Sequence, residues 1–166
     1  MDSIRFRRLH RVSGAILGSF VLAHMVNNLM ALAGAAAHRQ LLDALRIVYR
    51  FPPMEALLIA CVLVQVVSGM RMLRQGWGNW RDRKRRAQLL SGAGLAYFLL
   101  AHVSAVMIAR GVMGIDTDLK FAIGGYYPDS VFRMLLVPHY LVGLVSLVVH
   151  VNCALRRERC LSPAAI

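Results

Sequence analysis

Two histidines in this chain each close a copy of the same phrase. Residues 13–24 read SGAILGSFVLAH and residues 91–102 read SGAGLAYFLLAH, identical at eight of twelve positions in the frame S-G-A-x-L-x-x-F-x-L-A-H. Both copies lie inside apolar runs long enough to cross a bilayer, where an ionisable ring is costly unless something holds it. Two such rings at matched positions of an internal repeat point to one object gripped from both sides. Neutral imidazoles on facing helices are a recurring way of holding low-spin haem b iron, so His24 and His102 are the expected axial ligands. The plainer reading is that each ring only hydrogen-bonds between helices; the pairing within a repeat favours iron.

The remaining chemistry-bearing residues fall around this pair. His139 and His150 lie on the fourth apolar run, eleven residues apart, close to three helical turns, so they share a face at different depths. The symmetry that pairs the first and third runs also pairs the second and fourth, which sets Gln65 opposite His150. A strict duplication would make a second two-histidine site there, nearer the cytoplasm. An amide is a poor ligand for haem iron. The second site is therefore empty, filled by a haem with His150 as its one protein ligand, or converted to another use. A quinone head group suits the last option, because Gln65 and His150 can donate to its carbonyl oxygens. His139 and Glu55, near the outer surface, are candidate proton or quinone contacts, with structural roles as the simpler alternative. His10 and His38 fall at interfacial or loop positions and receive no role. Gly14, Gly18, Gly92 and Gly94 are expected to make room for a porphyrin between helices.

The elements that must position these groups follow from composition. With 58% hydrophobic residues among 166 and a mean hydropathy of +0.55, the chain reads as one integral membrane domain over 1–166. The expected fold is all-α: a transmembrane four-helix bundle of two parallel repeats, each of two helices, spanning roughly 13–34, 54–73, 88–109 and 134–155. The first run exceeds a signal-peptide core and is expected to stay in the membrane. Residues 43–49 suggest a short surface helix, ended by Pro52 and Pro53. Asp116, Thr117 and Asp118 look like turn or cap chemistry, and two carboxylates in one short loop are thin evidence for a cation site. Cys61, Cys153 and Cys160 show no C-x-x-C spacing, hence no zinc, iron-sulfur or disulfide framework; Cys61 and Cys153 read as small packers. No G-x-G-x-x-G or P-loop stretch is present, so a nucleotide or flavin would sit on another subunit.

The formal charge of +12 is unevenly placed. Residues 1–12, 71–88 and 155–166 hold fourteen of the twenty Lys and Arg, while 35–54 and 110–133 hold six. The positive-inside rule therefore puts both termini in the cytoplasm of a bacterial inner-membrane protein. This pattern argues against nucleic acid as the partner. The run RDRKRR at 81–86 sets topology and meets anionic lipid, or more sharply forms a dock for a soluble partner. Trp77 and Trp80 read as interfacial anchors.

These residues together resemble the single-chain cytochrome b membrane-anchor subunit of succinate dehydrogenases and fumarate reductases, of the di-haem kind found in Bacillus. The opening F-x-R-R-L-H and apolar run to a histidine is similar to Phe6 through His24. The family's T-G-x9-H is similar to Ser91 through His102, and its Y-x-x-G-x-x-S-x-x-x-H to Tyr140, Gly143, Ser146 and His150. Its H-x-x-x-G is similar to Gln65 and Gly69, with the ligand replaced. The resemblance covers nearly the whole chain, departing at Gln65 and in having four spans where the family has five. It implies that His24 and His102 ligate the haem farther from the cytoplasm and that His150 would be one ligand of a nearer haem. It also implies flavoprotein and iron-sulfur partner subunits at the basic face, and electron exchange with membrane quinone. The alternatives are a haem-binding membrane sensor or carrier without quinone chemistry, and a haem-free structural anchor.

Overall fold

The computed structural model describes residues 3–76, 83–126 and 130–161. Trp77, Trp80 and the start of the 81–86 run lie outside the described residues. The helices follow in the order α1 (Ser3–Leu29), a 3-10 turn (Met30–Ala33), α2 (Ala35–Tyr49), α3 (Pro52–Gly76), α4 (Arg83–Gly111), α5 (Leu119–Ala122) and α6 (Ser130–Leu161), and no strand occurs among the described residues. Four are long and apolar enough to cross a membrane: α1 with its 3-10 turn, α3, α4 and α6. All four expected spans are present.

Each span continues past its expected limit at the end where Arg and Lys are concentrated, α1 by starting at Ser3 and α6 by running to Leu161. Arg and Lys are good helix formers, and their long side chains reach polar surroundings from within an apolar belt. Hydropathy therefore marks the apolar part of each helix, while the backbone ladder runs on. Arg71 on α3 lies 4.2 Å from the centre of the Phe6 ring on α1, a cation–π contact that joins these extensions.

The surface helix starts earlier than expected, at Ala35, after Gly34 makes the turn at a positive φ of 119°. His38, Leu42 and Arg46 are its buried residues. They are spaced by four, so they form one stripe facing inward. Pro52 opens α3, a position where its missing N–H costs nothing.

The spans pack in chain order: α1 against α3, α3 against α4, and α4 against α6. Leu17, Cys61 and Val62 form a small core, joined by Leu58, Val66, Leu99 and Val103. Cys61 is thus the packing residue it was expected to be. Outward-facing residues such as Leu22, Leu63, Leu100, Leu144 and Val148 remain exposed, as suits helices whose lateral solvent is lipid.

The α4–α6 contact is the most extensive between the spans among the described residues. The four residues Tyr140, Gly143, Ser146 and His150, spaced three or four apart, lie on one face of α6. Tyr140 donates its hydroxyl to the Ala122 carbonyl at 3.1 Å. Gly143 faces the Phe98 ring, Ser146 lies against Gly94, and the His150 ring lies against Gly92.

Candidate functional site

The twelve-residue repeat produces the same local arrangement twice. Phe20 stacks on His24, one turn later in α1, with ring centres 5.9 Å apart and planes at 17°. Phe98 stacks on His102 in α4 at 5.1 Å and 13°. Positions i and i+4 share a helix face, so the F-x-x-x-H ending of each copy places an aromatic plate against its imidazole. Across the bundle, the His24 and His102 rings face one another with centres 6.2 Å apart and planes at 64°.

That separation can be compared with ligation. A first-row metal holds an imidazole nitrogen at about 2 Å, and with the nitrogen about 1 Å from its ring centre, two rings on opposite sides of one ion are centred about 6 Å apart. Donor type and spacing therefore both fit axial ligation of one iron. Among the described residues no group of three or more His, Cys, Asp or Glu could hold a bare ion. The four glycines expected to make room are put to different uses. A β-carbon at Gly14 would lie 3.2 Å from Gln65, one at Gly92 would lie 3.2 Å from His150, and one at Gly94 would meet Ser146. At Gly18 nothing lies within 4 Å.

The second level of the bundle is organised by the opening Ser-Gly of each repeat. The Gln65 amide donates to Ser13 Oγ at 2.8 Å and to the His10 carbonyl at 2.5 Å. His150 Nδ1 lies 3.4 Å from Ser91 Oγ and 3.3 Å from the Gln88 carbonyl. Gln65 thus sits on Ser13 and Gly14 as His150 sits on Ser91 and Gly92, whereas the repeat had led one to expect Gln65 directly opposite His150. The ring that faces His150, however, is His10, with centres 6.4 Å apart and planes at 72°. His10 Nδ1 is also 2.7 Å from Ser68 Oγ. An apolar groove lined by Phe6, Leu9, Leu63, Val64 and Val67 includes Ser68 in its wall.

The other candidates separate by position. His139 joins the His24–His102 level, its ring 6.5 Å from His102 and stacked on Phe98 at 4.8 Å. Glu55 is ion-paired with Arg110, which ties the start of α3 to the end of α4. His38 is buried, and its Nε2 lies 3.1 Å from the amide nitrogen of Asn27, a residue only 2% exposed. Neither His38 nor Asn27 stood out in the sequence; the only signal was an amide three residues after a motif histidine, on the same helix.

The loop carboxylates are occupied by arginines. Asp116 accepts from Arg39 at 2.7 Å and from Arg46 at 2.6 Å, Arg50 donates to Thr117 at 3.2 Å, and Asp118 caps α5 by accepting from the Phe121 N–H. The turn and cap reading of this loop holds, and guanidinium groups fill the place of a cation. The hydrogen bond from Arg39 holds the Asp43 carboxyl below its ordinary pKa; burial, the next-largest effect, pushes upward, and the charges of Arg39 and Arg46 add to the lowering. At Asp116 burial pushes upward, but the hydrogen bonds and charges of Arg46 and Arg39 together outweigh it and leave the carboxyl lowered. Arg50 is shifted downward, first by burial and then by the charge of Arg46.

Compared with known protein families, characterised proteins and solved structures, the chain matches none.

Proposed function

We propose that this protein is a membrane-anchoring b-type cytochrome subunit. It carries electrons between a soluble flavin and iron-sulfur dehydrogenase, of the succinate dehydrogenase or fumarate reductase kind, and membrane quinone. The observation that carries this reading is the His24–His102 pair: two copies of one motif, on different helices, deliver two imidazoles at 6.2 Å, each backed by its own phenylalanine.

In this reading His24 and His102 would hold the haem iron, and the bound haem would supply one-electron chemistry. The protein contributes ligation, orientation and exclusion of water. Phe20 and Phe98 restrict rotation of the two rings. His139, in contact with Phe98 and Tyr97, belongs to the same level and lines the approach to the pair. The groove beside Ser68 offers a quinone tail an apolar wall, with Ser68 and His10 as the polar groups next to it. The end bearing Arg83, Lys84, Arg85 and Arg86 faces the cytoplasm of a bacterial inner membrane and receives the dehydrogenase by charge.

The test is a dithionite-reduced minus oxidised spectrum of the protein purified after expression with excess haem, together with haem per chain by pyridine haemochrome. The expected result is a low-spin b-type spectrum that changes in both His24→Ala and His102→Ala, each losing one haem per chain. An unchanged spectrum in either variant overturns the ligand assignment. Colourless wild-type protein overturns the cytochrome reading in favour of a haem-free anchor. Haem-loaded protein that never exchanges electrons with a quinone analogue turns the reading toward a sensor or carrier.

A further inference from the structure

We propose that Arg46 and Arg50, at the end of the bundle opposite the basic one, bind the propionates of the haem assigned to His24 and His102; this rests on the cytochrome reading above. Haem b carries its side-chain charge on two carboxylates, and a carboxylate at membrane depth needs a cation and hydrogen-bond donors. A guanidinium supplies both, in a planar fork that matches a carboxylate.

Distance along the helices leaves few candidates. Arg11 lies thirteen residues before His24 and Arg86 sixteen before His102, rises of about 20 and 24 Å, so the basic end is remote from the ligand pair. Helix α2 returns toward that pair instead. Its inward stripe sets His38 against Asn27, one turn beyond His24 on α1. Its last residue, Tyr49, meets the Phe20 ring edge to face at 5.5 Å, and Phe20 is the ring stacked on His24. Arg46 precedes Tyr49 by three residues, and Arg50 follows it directly.

Both guanidiniums have a donor to spare. Arg46 is only 9% exposed, and its Nη atoms hold Asp116 at 2.6 Å and Asp43 at 3.3 Å. Arg50 donates through Nη2 to Thr117 at 3.2 Å, with Asp116 farther off at 4.0 Å. In each residue Nε is buried and has no hydrogen-bond partner. A buried donor left open costs free energy unless a further group meets it. The neighbouring arginines are placed differently: Arg39 is half exposed and shared between Asp43 and Asp116, and Arg110 is committed to Glu55. Burial and then the charge of Arg46 lower the Arg50 pKa, with Arg110 adding to the lowering and Tyr49 and Asp116 opposing it. Arg50 is thus short of negative charge, and a propionate supplies it.

The experiment titrates the full chain, stripped of haem in detergent, with haem and with haem dimethyl ester, following the Soret band. The ester keeps the iron and the ring but carries no side-chain charge. Comparing each variant with the wild type for the same porphyrin cancels the difference in solubility between the two. Arg50→Gln is expected to lower haem affinity about tenfold, the size of a lost hydrogen bond to a charged group, and to leave ester affinity unchanged. Arg46→Gln should behave alike. A loss equal for both porphyrins, or no loss for either, overturns the propionate assignment and leaves the His24–His102 pair standing. Wild-type protein that binds neither porphyrin overturns the cytochrome reading itself. Where Arg46→Gln fails to fold because the Asp116 loop is released, Arg50→Gln, which gives up one hydrogen bond to Thr117, decides alone.

Discussion

Gly143 on α6 faces the ring of Phe98 on α4 so closely that a β-carbon at Gly143 would lie 2.5 to 2.7 Å from three of its ring atoms. Phe98 in turn stacks on both His102 and His139. A single missing methyl group on one helix therefore controls the aromatic plate behind a candidate ligand on another.

Gly143→Ala should push Phe98 off its stack, because overpacking of a tight contact costs about 1–3 kcal/mol. The expected outcome is a lower thermal midpoint in detergent together with a shifted Soret band of the haem-loaded protein. A drop in stability with an unmoved spectrum would separate Phe98 from the ligand pair.

Glu55 is committed to Arg110, and both side chains are about three-quarters covered. Glu55→Gln should weaken the joint between α3 and α4 by no more than about 1 kcal/mol, the range of a partly exposed ion pair. It should leave the pH profile of quinone reduction unchanged. A profile whose acid limb moves in the variant would support Glu55 as a proton carrier.

The loop carrying Asp116 is held to α2 by the Asp116 carboxylate on Arg39 and Arg46, and that carboxyl, like Asp43 of α2, has a lowered pKa in the folded chain. A lowered folded value means that the stabilisation is complete above the unfolded carboxyl pKa of about 4 and is lost as pH falls through the folded values. Hydrogen-exchange protection of residues 112–118 should thus be flat from neutral pH down to about 5 and collapse in stronger acid. Asp116→Asn should remove most of that dependence; equal acid sensitivity in the variant would place its origin elsewhere.

Much of this architecture is legible in the sequence because it depends on local, additive properties. Apolar run length located all four spans, and the twelve-residue repeat matched His24 with His102 before any packing was known. Eleven-residue spacing put His139 and His150 on one face, and both do face α4. The repeat also paired Gln65 with His150 across the bundle, but in the fold each is seated on its own Ser-Gly pair and His10 faces His150.

Tertiary structure decided what depends on helix rotation and on neighbours far away in the chain. Hydropathy treats His10 as an interfacial residue in a basic lead. The helical backbone carries it into the bundle, where Ser68, 58 residues away, fixes its ring and His150 faces it. His38 looked like a loop histidine, yet the amphipathic turn of α2 buries it against Asn27. A β-carbon at Gly14, Gly92 or Gly94, glycines expected to make room for a porphyrin, would meet Gln65, His150 and Ser146. A glycine's sequence position says only that space exists; which side chain fills it is set by the rotation of the facing helix. The repeat established that two imidazoles meet, and packing alone determined that a second pair meets as well.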